Sequence, residues 1–217
     1  MTRRATDDLL AELAADPAAR PLAPPMQRAF GTLAVISVPA AITILFFSDT
    51  PGLLARYAGR LDMMMLEMAA MLATGAIAIA AAFHLAIPGR SKAWLLAPTI
   101  PFAAWMWLSG LGCYRDFVRR GPSGWEPGHG GDCLIFILTV GAALAVPLLW
   151  RLSRARPINP IPVALLGGLG TASLAAFLLQ FFHPFAVTVL DLAAHLAGIA
   201  MVVGATILLN RKVLAPA

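Results

Sequence analysis

Six stretches of this chain are apolar almost without interruption, and short polar segments separate them. They run approximately Ala29 to Phe47, Met63 to Ile87, Ala93 to Leu111, Cys133 to Trp150, Ile161 to Phe182 and Phe185 to Leu209. Each has the roughly 17 to 25 residues that a helix needs to cross the hydrocarbon core of a bilayer. None alternates apolar with polar positions as a barrel strand does, and in lipid only helices or closed barrels satisfy the backbone. The pattern therefore predicts an all-α, polytopic membrane protein: a six-transmembrane-helix bundle. The first run starts close to residue 29, is too long for the core of a secretory leader and has no small-residue cleavage site close behind it, so it reads as a span.

Breakers and small residues add detail. Pro98 and Pro101 fall inside the third run and predict a kink there. Ala164, Gly168, Gly198 and Gly204 are positions where small side chains would let helices approach closely. Connections on one side are tight, Pro88 to Lys92 and the proline-stiffened Arg151 to Pro160. The longest segment between runs, Gly112 to Asp132, holds six glycines and two prolines and predicts an irregular loop.

Composition supports the membrane assignment, since 59% of the residues are hydrophobic and 12% charged, too few polar groups to cover a soluble core. Charge then orients the bundle. With the N-terminus inside, the inner segments hold Arg3, Arg4, Arg20, Arg28, Arg90, Lys92, Arg151, Arg154, Arg156, Arg211 and Lys212, while the outer ones hold Arg56, Arg60, Arg115, Arg119 and Arg120. That asymmetry places both termini in the cytoplasm. The net charge of +5 is topological bias scattered over short loops, so no direct nucleic-acid binding is expected. The predicted organisation is a cytoplasmic N-terminal segment at residues 1–28, a six-helix transmembrane domain at 29–211 and a cytoplasmic tail at 212–217.

The leading segment departs from the rest. Four of the eleven carboxylates, Asp7, Asp8, Glu12 and Asp16, lie in the first sixteen residues. Thr6 is a good N-cap, Asp7 and Asp8 suit a helix N-terminus, and Pro17 stops the helix, which would run about three turns. Leu9, Leu10, Leu13 and Ala14 form its apolar stripe. So short a helix is marginal in water and needs a surface. An anionic leaflet repels its acids, whereas a protein groove rimmed with basic residues accepts them. The alternative is a disordered tail whose acids solubilise it.

The run Thr6-Asp7-Asp8-Leu9-Leu10, then Leu13-Ala14, Asp16 and Arg20-Pro21-Leu22, with a basic residue before the first span, resembles the NrsF family of six-helix membrane anti-sigma factors. Cys133-Leu134, Val146-Pro147-Leu148-Leu149 and the stretch from Phe182-His183-Pro184-Phe185 through Asp191 to His195 are similar to later landmarks of that family, so the likeness extends over essentially the whole chain. The resemblance implies a bacterial inner-membrane protein whose N-terminal segment (Thr6, Asp7, Asp8, Leu9, Leu10, Glu12, Leu13 and Asp16 here) holds an extracytoplasmic-function sigma factor inactive; release on a periplasmic redox or metal signal is the expectation drawn from the outer-face residues. One departure stands out. Many members carry a cysteine beside the position of His183, where this chain has Pro184, so the common cysteine pair is not implied and Cys113 is a candidate substitute.

Sensing chemistry would sit on the outer face. Cys113 closes the third run and Cys133 opens the fourth, at the oxidising side in this topology. A structural disulfide, a redox-responsive pair and a metal site all remain open. His129, Asp132 and His183 fall near the same face, and Met63, Met64, Met65, Met68 and Met71 crowd the start of the second run, although the spacing matches no compact ligand motif and methionine commonly serves as adaptable packing. Glu67, His84, Asp191 and His195 are costly within spans. Glu67 and Asp191, with His183 and His195, are expected to hydrogen-bond across spans two, five and six as a clasp or sensor, and His84 is expected to snorkel at the inner edge. The rival reading is a small membrane transporter or a thiol oxidoreductase. Neither interrupted polar mid-spans nor a C-x-x-C motif supports it, no nucleotide loop is present, and the chain reads as a non-enzyme without cofactor, its partners a sigma factor and the bilayer.

Overall fold

The computed structural model describes residues 11, 23–56, 58, 61–121, 130–182 and 188–213. Every regular element among them is helical: α1 (Pro25–Phe47), a short α2 (Thr50–Arg56), α3 (Leu61–Leu85), a 3₁₀ turn (Lys92–Leu96), α4 (Thr99–Arg120), α5 (Gly130–Ser153), α6 (Pro160–Leu179) and α7 (Val189–Val213). Six helical segments are long and apolar enough to cross a membrane.

Helix boundaries follow local chemistry. Proline occupies the first turn of α1 and of α6, where its missing N–H costs nothing. Asp62, Asp132 and Asp191 lie in the first turns of α3, α5 and α7, where the helix dipole favours negative charge. Pro39 and Pro147 sit inside α1 and α5 without ending them, as spans tolerate when side chains and neighbours compensate. The third span differs from expectation. Pro98 separates the 3₁₀ turn from α4 instead of kinking one helix, and α4 runs on past Leu111 to Arg120, so much of the expected outer loop is helical.

Contacts between helices fix an up-and-down arrangement. At one end, here called proximal, the start of α1 meets the ends of α3 and α5: Arg28 Nη2 donates to the Arg151 carbonyl at 2.6 Å and its guanidinium lies 4.8 Å from the Phe83 ring centre. At the distal end, the backbone N–H of Asp49 after α1 donates to the Phe181 carbonyl after α6 at 3.0 Å. The proximal end holds the arginine-rich side of the sequence.

Helix α6 is the axis. It packs against α3, α5 and α7, and 72% of its span window is buried against 11% for α1. Two apolar clusters surround it. The proximal one gathers Ile79, Phe83, Leu148, Leu152, Val163 and Leu166, and the distal one Met71, Trp105, Cys133, Ile137, Ala176 and Val202. Outward surfaces are equally apolar, with Phe30, Leu45, Phe47, Ile100 and Trp107 exposed, the inside-and-outside greasiness expected of a body immersed in lipid.

Small residues set the closest approaches. Alanine in place of Gly168 would meet Thr206 and stand 2.8 Å from Val203 Cα, and Gly75 and Gly170 each bring their backbone against the other's helix. Gly198 lies close to Ile137, but Gly204, expected to serve the same purpose, has open space around it.

Candidate functional site

The distal half of the bundle carries a buried polar seam. Its first part joins α3 to α4, because the Ser109 hydroxyl donates to Glu67 Oε1 at 2.6 Å and both residues are buried. So short a bond to a carboxyl oxygen is of the strong, charge-assisted kind when the acid is ionised. Four residues on from Ser109, one helical turn along the same face, stands Cys113. Its Sγ donates to the Thr188 carbonyl at 3.5 Å and joins α4 to the start of α7.

There the chain forms a capping box. The Thr188 N–H and hydroxyl both donate to Asp191 Oδ2 at 2.9 Å, and the Asp191 N–H donates to Thr188 Oγ1 at 3.2 Å, which satisfies the orphan donors of a helix N-terminus. Asp191 is 1% exposed, and its other oxygen, Oδ1, has no partner among the described residues. One turn further, His195 Nδ1 is 2.6 Å from the Asp191 carbonyl, which fixes that nitrogen as the protonated one when the ring is neutral. Glu67, Ser109, Cys113, Thr188, Asp191 and His195 thus tie three helices together at one level.

Expectation and structure differ in detail. Glu67 does hydrogen-bond between spans, accepting from Ser109 of the third. Asp191 Oδ2 bonds within its own cap, and His195 Nδ1 reaches the main-chain carbonyl of Asp191. Ser109 and Thr188 were not singled out in the sequence; Ser109 could have been found by its four-residue offset from Cys113, and Thr188 by the Thr-x-x-Asp signature. Both cysteines are buried thiols not joined in a disulfide, and Cys133 packs with Trp105, Ile137 and Met71 in the distal cluster. Of the methionines, Met64 and Met71 are buried and Met65 is exposed, and Met71 Sδ accepts from Gln180 Nε2 at 3.9 Å. No three His, Cys, Asp or Glu residues among those described are grouped to hold a metal. His129 and His183 lie outside the described residues, as do Thr6, Asp7, Asp8, Leu9, Leu10, Glu12, Leu13 and Asp16.

At the proximal end His84 stands in the last turn of α3. It is half-buried and stacked on Trp94, with ring centres 4.0 Å apart and planes 9° from parallel.

A family profile described as NrsF, negative regulator of sigma F, matches residues 13–215. The chain belongs to the NrsF family. No curated protein and no solved structure matches it. Membership identifies a negative regulator of a sigma factor, a regulator's description and not an enzyme's. The NrsF match embraces all six span-length helices and the distal seam, together with Leu13 and Asp16 of the leading segment; Thr6 to Glu12 precede it.

Proposed function

We propose that this NrsF-family chain is a membrane-bound anti-sigma factor of the bacterial inner membrane, with both termini in the cytoplasm. Its N-terminal segment sequesters an extracytoplasmic-function sigma factor, and a periplasmic redox or metal signal read at the distal seam releases it. The family match across residues 13–215 carries the reading. Charge supports it, because Asp7, Asp8, Glu12 and Asp16 suit a basic DNA-binding client and Leu9, Leu10 and Leu13 suit a groove on that client. The seam supports the sensing half. Oxidation of the Cys113 thiol to a sulfenic acid by a peroxide, which is reduced to water or alcohol, removes the S–H that donates to Thr188, so a chemical event on α4 is felt at the start of α7. To reverse a 1:99 bias between holding and releasing states, the signal must favour one of them by roughly 5.5 kcal/mol.

A thiol oxidoreductase fits less well, since such enzymes present closely spaced cysteines with a tuned thiolate, and Cys113 and Cys133 form no C-x-x-C motif. A transporter lacks support in the middle of the bundle, where the hydroxyls of Thr74 and Thr171 donate back to carbonyls of their own helices.

The test is co-expression of the full-length chain with its sigma factor, comparing wild type with L9D/L10D/L13D. Wild type should retain the sigma factor at the membrane and silence a sigma-dependent reporter; the triple variant should lose both. Equal retention by the two proteins refutes the binding segment. For the signal, Cys113→Ser with Cys133→Ser should keep the grip yet blunt release by oxidant, and an unaltered response removes the cysteines from the mechanism.

A further inference from the structure

The proximal end holds a cavity that no part of the sigma-factor reading uses. It has a volume of about 590 Å³, within the usual range of ligand pockets. One wall is the end of α3 and the turn after it, from Leu85 through Arg90 to Lys92; the other is the first turn of α6, from Ile158 to Pro162. Two chemistries meet there. Arg90 and Lys92 are exposed at its edge, and neither is engaged in a hydrogen bond or ion pair among the described residues. The first turn of α6 adds the positive end of a helix dipole, with few N–H donors because Pro160 and Pro162 carry none, and Asn159, at its N-cap, makes no side-chain capping bond. The remainder is apolar: Leu85, Leu95 and Ile161 line the space, and Ile158 is 74% exposed at its mouth.

We propose that this cavity binds one anionic phospholipid, its phosphate between Arg90, Lys92 and the start of α6 and its proximal acyl chain against Leu95 and Ile161. A free phosphate would answer the cations but leave Ile158 and Ile161 uncovered. A zwitterionic lipid would cover the isoleucines but bring no net charge to two unneutralised cations. An anionic lipid answers both, and basic residues at the end of a span attract anionic headgroups by about 1 kcal/mol each. The site joins the α3–α4 connection to α6, the central helix of the bundle, so its occupant would brace the proximal end opposite the seam. The inference does not depend on the leading segment binding a sigma factor.

The test is native mass spectrometry of the full-length chain released from micelles doped with phosphatidylglycerol and phosphatidylcholine of identical acyl chains. Wild type should retain one phosphatidylglycerol in preference to phosphatidylcholine. R90A/K92A should weaken phosphatidylglycerol retention roughly 30-fold, the loss expected for two cations beside an anionic headgroup. Arg154→Ala, which removes a cation stacked 3.8 Å over Trp150 at the same end but outside the cavity, should change it by less than about threefold. Ile161→Trp, which fills the space without altering charge, should also abolish retention while circular dichroism stays unchanged. Equal retention of both lipids, or an equal loss in Arg154→Ala, overturns the proposal. It is overturned too if D7N/D8N/E12Q/D16N raises lipid retention about tenfold or more, because the chain's own acidic leader would then be the occupant.

Discussion

Replacing Gly168 by alanine tests whether close helix contact holds the bundle together. The new Cβ would lie 2.8 Å from Val203 Cα and meet the Thr206 hydroxyl as well. Ordinary carbon–carbon contact is about 3.5–4.0 Å, so α6 and α7 must separate by roughly 1 Å, and no side-chain rotation moves a Cα. Overpacking of this kind costs about 1–3 kcal/mol. Separation also strains the bond from Thr206 Oγ1 to the Ala164 carbonyl, 3.1 Å across the same interface, and interhelical bonds in membranes average about 0.6 kcal/mol. Against this, alanine is a better helix former than glycine by about 0.8–1.0 kcal/mol. The sum is a net loss of roughly 1–2.5 kcal/mol. Gly204→Ala is the control: it makes the same chemical change on the partner helix with nothing within 4 Å, so it should be neutral or stabilise by up to about 1 kcal/mol. Equilibrium unfolding in mixed micelles titrated with sodium dodecyl sulfate, followed by far-UV circular dichroism, measures both. Equal stability of the two variants, in either direction, would refute the assignment of α6–α7 packing to Gly168.

Three further outcomes are expected. Ser109→Ala should destabilise the bundle by about 1–2 kcal/mol in the same assay because it strips a 2.6 Å donor from buried Glu67, while Glu67→Gln, which keeps an acceptor oxygen, should cost less. Thr188→Val removes the N-cap of α7 and should cost about 1 kcal/mol, with faster hydrogen exchange in the first turn of that helix; unchanged exchange would show that the cap is not holding it. Ser173 is buried with its hydroxyl unpartnered among the described residues, so Ser173→Ala should be neutral or stabilise, and a loss above about 1 kcal/mol would mean the hydroxyl is bonded.

The seam was half legible in the sequence. Glu67, Asp191 and His195 announce themselves because an ionisable group in a span is costly wherever it points. Their partners do not. Ser109 and Thr188 are ordinary residues in these segments, and only the rotation of α4 and the docking of α7 turn them toward Glu67 and Cys113. The same holds for the four small residues of the fifth and sixth spans: Gly168 touches a neighbouring backbone and Gly204 touches nothing, though nothing in their flanking sequence separates them.

Six helices of membrane-crossing length follow from the sequence alone, since hydrocarbon forbids an unsatisfied backbone and twenty apolar residues in a row leave the helix as the available answer. Which helix becomes the axis is another matter. In water an apolar stripe marks the buried face, but in lipid the outside is as greasy as the inside, so α6 and α1 look alike by hydropathy even though one is enclosed and the other faces outward. Rotation, partner and depth are chosen by steric fit between whole helices, and only the folded bundle holds that information.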